Sequence, residues 1–435
     1  MNKQTITANS SALPHIIKTT FTAGLLPVIV SLLSLQTTQA GSATWNLNPA
    51  SGDWNTAANW TPATVPNGPA DTAQFAVSNT TGISISSPTE VNGTQFNPGA
   101  SAFTITAPPM LTFTISGVGI TNNSGTTQNF VTTVDGAGNH GSINFSNSAT
   151  AGNATLIANG GTGGIGGAIL FSGNSTGGTA RVEVFGNGTL DISQHDAPGV
   201  TTGSIEGDGL VFLGAVNLTV GTNNLSTTFS GLMQDGGFSG GTGGSLTKAG
   251  RGKLSLANAN TYTGGTTITK GTLLVKNATG SATGTGAVHV NAGTLGGTGK
   301  ITGAVTVGTG SSSGAILLPG NSATKPGILT ISSALTFNSL STYKCVLNRS
   351  TPIAGEVTAL GVTINSGVPF TFVDTGTGTL TVGTVFTVIN NTSASPITGT
   401  FSNLADGSVF ASNGNNFQAS YTSGTGNDLT LTVVP

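Results

Sequence analysis

The chain has 435 residues, of which 67 are glycine, and only 12 Lys+Arg stand against 14 Asp+Glu, for a formal net charge of −2. With 36% hydrophobic residues it is too apolar and too weakly charged to stay unfolded, and it has no basic patch to neutralise a row of phosphates, which excludes nucleic-acid binding. Its single cysteine, Cys345, excludes an intramolecular disulfide framework and a cysteine-based zinc cluster.

The first segment reads as an export signal. Lys3 and Lys18 give it positive charge, and no charged residue follows from Thr19 to Gly52. Ala23 to Leu35 form an apolar core, and Thr38-Gln39-Ala40 offers small residues at −3 and −1 of a cleavage site. This layout predicts a signal peptide over 1–40, cut after Ala40. A retained anchor is the alternative, but the core falls short of the ~20 apolar residues of a membrane span and Pro27 interrupts it. Export with so few cysteines points to a bacterial envelope. Membrane contact is expected only through this signal.

Three zones follow. The first, 41–110, holds Trp45, Trp54 and Trp60 with a proline cluster at Pro62, Pro66 and Pro69. The second, 111–330, is a succession of short runs such as Arg181-Val182-Glu183-Val184-Phe185 and Ala304-Val305-Thr306-Val307, bounded by Gly or Asn. Thr, Val and Ile suit pleated, half-buried surfaces, and Gly and Asn accept the left-handed backbone of tight corners. The third zone, 331–435, has longer alternating runs, including Val385 to Ile389 and Leu429 to Val434.

Within the middle zone Gly-Thr-Leu recurs at Gly188, Gly271 and Gly293, and the step from Gly271 to Gly293 is 22 residues, about one coil of a parallel β-solenoid. Such coils bury their apolar faces only by stacking at ~4.8 Å, which places like residues above like. Stacked charges would repel, whereas Thr and Asn ladders are expected to hydrogen-bond along the stack. Coils of ~20–22 residues predict fewer than about twenty coils and a rod under ~90 Å. The first and last zones are the expected caps of its open edges.

From Leu246 the chain reads LTKAGRGKLSLANANTYTGGTTITKGTLLV. This segment resembles the autotransporter-associated β-strand repeat, also called the passenger-associated transport repeat. The matching positions are Leu246, Lys248, Gly250, Gly252, Leu254, Leu256, Asn260, Tyr262, Gly264, Thr267, Ile268, Gly271 and Leu273. Asn258 stands where the family usually has Gly, and a left-handed corner is expected there. GTLGGTGKITGAV (293–305) and PGNSATKPGILTI (319–331) are similar to the segment that commonly follows the repeat. TWNLNPASGDWNTAANW (44–60) and NFQASYTSGTGNDLTLTVVP (416–435) resemble the terminal modules of such surface proteins. The resemblance implies an all-β, right-handed parallel β-helix passenger with capping β modules at both ends. It implies display on the surface of a Gram-negative-type bacterium or release into the medium, with no catalytic residue and no cofactor. No membrane barrel follows the passenger-like region in this sequence, which leaves the route across the outer membrane open.

The chain carries few residues arranged for chemistry. His140, His195 and His289 lack metal spacing, and His195-Asp196 is the one His–carboxylate neighbour pair. A lyase on this fold would need clustered acids and bases, yet Arg181, Arg251 and Arg349 are the only arginines. Coil stacking could gather Glu183, Asp191, Glu206 and Asp208. Gly207-Asp208-Gly209 and Gly426-Asn427-Asp428 suit turns better than calcium. The tryptophans are expected to plug the open first coil as a hydrophobic cap, with stacking on sugars as the alternative. The residues therefore favour a structural or adhesive surface protein whose partners are surface glycans or other cells. A carbohydrate-binding module using the tryptophans comes second, and a polysaccharide lyase or hydrolase third.

Overall fold

The computed structural model describes residues 41–435; the export signal expected over 1–40 lies outside the described residues. The described residues form one unit with no α-helix, only a 3-10 turn at Ala57–Asn59. The chain winds through about 12 turns of a parallel β-solenoid. Four sheets make its walls. The first face has ten strands, from Trp60–Thr61 and Ala43–Trp45 at one end to Leu232–Gln234 at the other. The second has fifteen and runs from Gly82–Ser84 to Ile353–Ala354. The third has eight, from Gly199–Thr202 to Val362–Ile364, and the fourth has seven, from Lys300–Ile301 to Val409–Ser412.

Strand alternation supplies the wall. In the third face Leu218, Leu246, Thr266, Val288 and Val305 follow one another in register, all turned inward and buried. The outward column beside it is Thr219, Thr247, Thr267, His289, Thr306, Thr336 and Thr363. Like thus stacks on like, but the hydroxyls of this column do not donate to one another. Asn217 ties its lower end instead, donating to Thr219 Oγ1 at 2.8 Å and accepting from Thr247 Oγ1 at 2.9 Å. Inside, Phe75 lies on Phe96 and Phe145 on Phe171, each pair with centroids 4.8 Å apart, the spacing of adjacent strands.

Coil length varies. Passing from Lys253 to its neighbour Thr272 takes 19 residues, whereas passing from Thr227 to Leu254 takes 27. Thr272 and Thr294 are in register, so the second and third Gly-Thr-Leu triplets do lie one coil apart. The triplet at Gly188 belongs to another wall: Thr189–Asp191 is in the first face, beside Ala168–Phe171. The triplet marks a corner entering a strand, and more than one corner of the coil has that need.

Parallel pairing ends in antiparallel strands at both extremities. Trp60–Thr61 covers Ala43–Trp45, with Trp45 opposite Trp60. At the other end Val385–Asn391, Asp428–Val434, Asn415–Ser423 and Val409–Ser412 pair antiparallel in sequence. A strand so covered no longer offers a free row of N–H and C=O groups.

Candidate functional site

The segment 246–275 begins in Ser245–Lys248, crosses Lys253–Leu256 and Thr266–Ile268, and closes in Thr272–Val275. Leu246, Leu254, Leu256, Ile268 and Leu273 all point into the core, each 0–1% exposed. Gly250 takes φ +63°, and a Cβ there would collide with the carbonyl oxygen of Gly221 one coil below. Gly271, at φ +71°, sits over the same corner, where a Cβ would lie 2.5 Å from Gly252 O. Gly252 and Gly264 leave the same clearance for the backbones of Leu225 and Gly243. These glycines let successive corners stack without a side chain between them.

The polar motif residues close the gaps that the corners leave. Lys248 is inward and buried, in register between Val220 and Ile268. Its Nζ donates to Ala249 O, to Gly250 O at 3.0 Å and to Lys270 O at 3.2 Å. Burial pushes its ammonium down to about 8. Tyr262 is fully buried, and its hydroxyl shares a hydrogen with Thr266 Oγ1 at 2.6 Å; burial drives this phenol up. Asn260 is buried where regular pairing in the first face stops: its Oδ1 accepts Met233 N–H at 2.7 Å and its Nδ2 donates to Ala282 O at 2.5 Å. Asn258 departs from expectation. It is not left-handed, because the corner is made with negative φ and the Asn258 Oδ1 accepts the Ala259 N–H at 2.9 Å.

The sequence of this segment matches a known family: the family described as Passenger-associated-transport-repeat covers residues 246–275. The chain carries a passenger-associated transport repeat. It is also 36% identical over 126 residues to the adhesin BmaC autotransporter of Brucella suis biovar 1 (strain 1330). That match takes in 27% of this chain and 3% of the Brucella protein, so the chain spans only a small fraction of that relative's length. Apart from the outward Thr267, the repeat's motif residues are thus corner and core residues of stacked coils.

The tryptophans lie elsewhere and are inaccessible. Trp45, Trp54 and Trp60 are 0–2% exposed, with centroids 4.9 Å apart in the pairs Trp45–Trp60 and Trp54–Trp60. Their indole N–H groups donate inward, to Thr80 O, Pro66 O and Trp54 O. No ring face is open to a sugar. This is the plug that an open solenoid end needs, and the Asn-rich context that looks exposed is used internally. Asn59, for example, is buried and bonds Ser51 and Asp53.

The carboxylates anticipated as a group are only partly gathered. Glu183 and Glu206 are neighbours in register on the second face, with Arg181 bridging both. Asp208 instead accepts Gly186 N–H at 2.8 Å, and Asp191 lies on the first face. Asp428 accepts Asn391 N–H at 2.8 Å, so each aspartate of the two Gly/Asn turns ties one strand or corner to another. Both ring nitrogens of His195 meet carbonyl oxygens at 2.6 Å, those of Ser175 and Asp196, so the imidazole is turned away from its neighbour's carboxylate. Cys345 is buried among strands, and burial pushes its thiol up to about 12.

A concavity lies on the outer wall of the first face. It has a volume of about 570 Å³ and is lined by Asn144, Leu170, Asp191, Gln194, Phe212 and Phe238 among others. None of these six stood out in the sequence except Asp191. They come from four coils and one loop, and only the stacking register unites them.

Proposed function

We propose that this chain is the surface-displayed, adhesive solenoid of an exported bacterial protein and that it performs no catalysis. The observation that carries this reading is the passenger-associated transport repeat, set across consecutive coils of a continuous solenoid. The printed description of the Brucella relative as an adhesin supports adhesion as the role, and its description as an autotransporter supports display outside a Gram-negative cell. Physics favours the same use. A stacked coil rod presents long, regular walls, and its stability is distributed over neighbouring coils, so walls can vary without loss of the fold. The buried tryptophans give no support to a sugar module at the N-terminal end.

The test is direct. Intact producing cells are treated with protease, and the chain is followed by an antibody to the third face. Loss of the signal from intact cells, together with reduced adherence of a deletion strain to host cells or to sister cells, is the expected result. A chain protected in intact cells, or a deletion strain that adheres normally, would overturn the proposal.

A further inference from the structure

We infer that the outer groove of the first face is a binding site for a linear, uncharged glycan; this rests on the adhesive reading above and names the ligand of that surface. The floor is one column of side chains on four successive coils. Asn144, Leu170, Asp191 and Phe212 are neighbours in register, so amide, aliphatic, carboxylate and aromatic groups follow one another along the rod. Successive strands are ~4.8 Å apart, which gives a floor of about 14 Å along the axis. One pyranose unit advances by a comparable distance, so successive sugars would meet successive coils. A sugar ring has apolar C–H faces and a hydroxyl rim, and an alternation of apolar and polar side chains answers both.

Two further features distinguish this groove from an ordinary stretch of wall. Asn144 Oδ1 is buried and has no hydrogen-bond partner among the described residues. An unpaired buried acceptor costs stability unless a ligand supplies its donor. The second feature is Phe238, which stands 79% exposed at the rim. Its loop is held in place. Phe238 N–H donates to Asp191 Oδ2 at 2.7 Å and Ser239 N–H to Ser193 Oγ at 3.0 Å. At the loop base Asp235 accepts Gly244 N–H at 3.0 Å and the Thr263 hydroxyl at 2.6 Å. An exposed aromatic on a pinned loop is presented at little entropic cost on binding. The groove continues past Ile165 and His140 into a second depression of about 620 Å³ that reaches Met110, which makes it open-ended and suited to a chain rather than to a small molecule.

The charge of the ligand follows from the lining. No Lys or Arg lines either depression, and the one carboxylate of the floor already accepts Ser193 N–H on Oδ1 and Phe238 N–H on Oδ2. An anionic glycan would meet no lysine or arginine there.

The experiment is calorimetric titration of the full chain with oligosaccharides long enough to span four coils. Neutral glucans, galactans and mannans form one arm; polygalacturonate, alginate and heparin fragments form the other. Binding of at least one neutral glycan is expected. Phe238→Ala should weaken it roughly tenfold, the scale of a lost aromatic contact. Asn144→Ala should weaken it while leaving the melting temperature unchanged or higher, since the lost acceptor has no partner to forfeit. Val77→Ala, at an exposed apolar position outside the groove, should bind as the parent does. Absence of neutral-glycan binding, preference for the anionic arm, or full affinity in both groove variants would overturn the proposal. Adherence of cells displaying Phe238→Ala separates the two readings. Adherence retained while the parent binds no glycan would leave the adhesive function standing and remove the groove.

Discussion

Asn260 accepts the main-chain N–H of Met233 through its side-chain Oδ1 at 2.7 Å, and so stands in for a strand where the first face ends. Met233 lies in Leu232–Gln234, the last strand of that sheet. Above it the first face has no further strand, while the second and third faces continue, and Lys300–Ile301 begins the fourth face. One amide side chain spans this break by bonding the coil below and, at Ala282 O, the coil above.

Asn260→Ala removes both bonds and leaves a buried N–H and a buried C=O unpaired. The expected loss is about 2–5 kcal/mol in denaturant unfolding. Asn260→Asp should be at least as damaging, because a carboxylate would face the Ala282 carbonyl. A change below about 0.5 kcal/mol in the alanine variant would show that the bridge is not needed.

Lys248 gives a pH signature. Its folded value of about 8 is below the ordinary 10.5, so between these limits the unfolded chain holds a proton that the folded chain has released. Stability therefore rises with pH across that window and is unaffected by this group below it, where both states are protonated. The parent should gain about 3 kcal/mol relative to Lys248→Met between pH 8 and 10.5. Parallel stability profiles of the two proteins would refute the assignment.

Gly250 separates backbone strain from collision. Gly250→Ala meets both a φ of +63° and the Gly221 carbonyl oxygen. Gly99→Ala meets only φ +76°, with nothing within 4 Å. The second substitution should cost about 1 kcal/mol and the first at least twice that, measured by thermal unfolding. Equal costs would mean that the coils separate freely at this corner.

Trp54→Ala distinguishes an internal plug from a ligand aromatic. Trp54 packs against Trp60 at 4.9 Å and Phe113 at 5.0 Å, so its loss should cost about 3–5 kcal/mol. Coil stability depends on nearest neighbours, so limited proteolysis should cut the N-terminal coils first and spare those beyond. A variant of parental stability would reopen the sugar-stacking role.

Much of the architecture was legible in the residues. Short Thr/Val/Ile runs between Gly and Asn corners specify a strand-and-corner coil, scarcity of charge permits like to stack on like, and the segment 246–275 names its own family. Alternation also says which side chain points inward, as Leu246, Leu254 and Ile268 do. What alternation cannot say is which strand lies beside which, because coil length ranges from 19 residues to 27 and a change of wall resets the count. That register decided the rest. It set the partners of the tryptophan plug, left Asn258 out of the left-handed region, and sent Asp191 to a different wall from Glu183. It also brought Asn144, Leu170, Asp191 and Phe212 into one column under Phe238. A site made by stacking coils has no linear signature, since each coil contributes one residue and the hydrogen bonds that align them run between segments far apart in the chain.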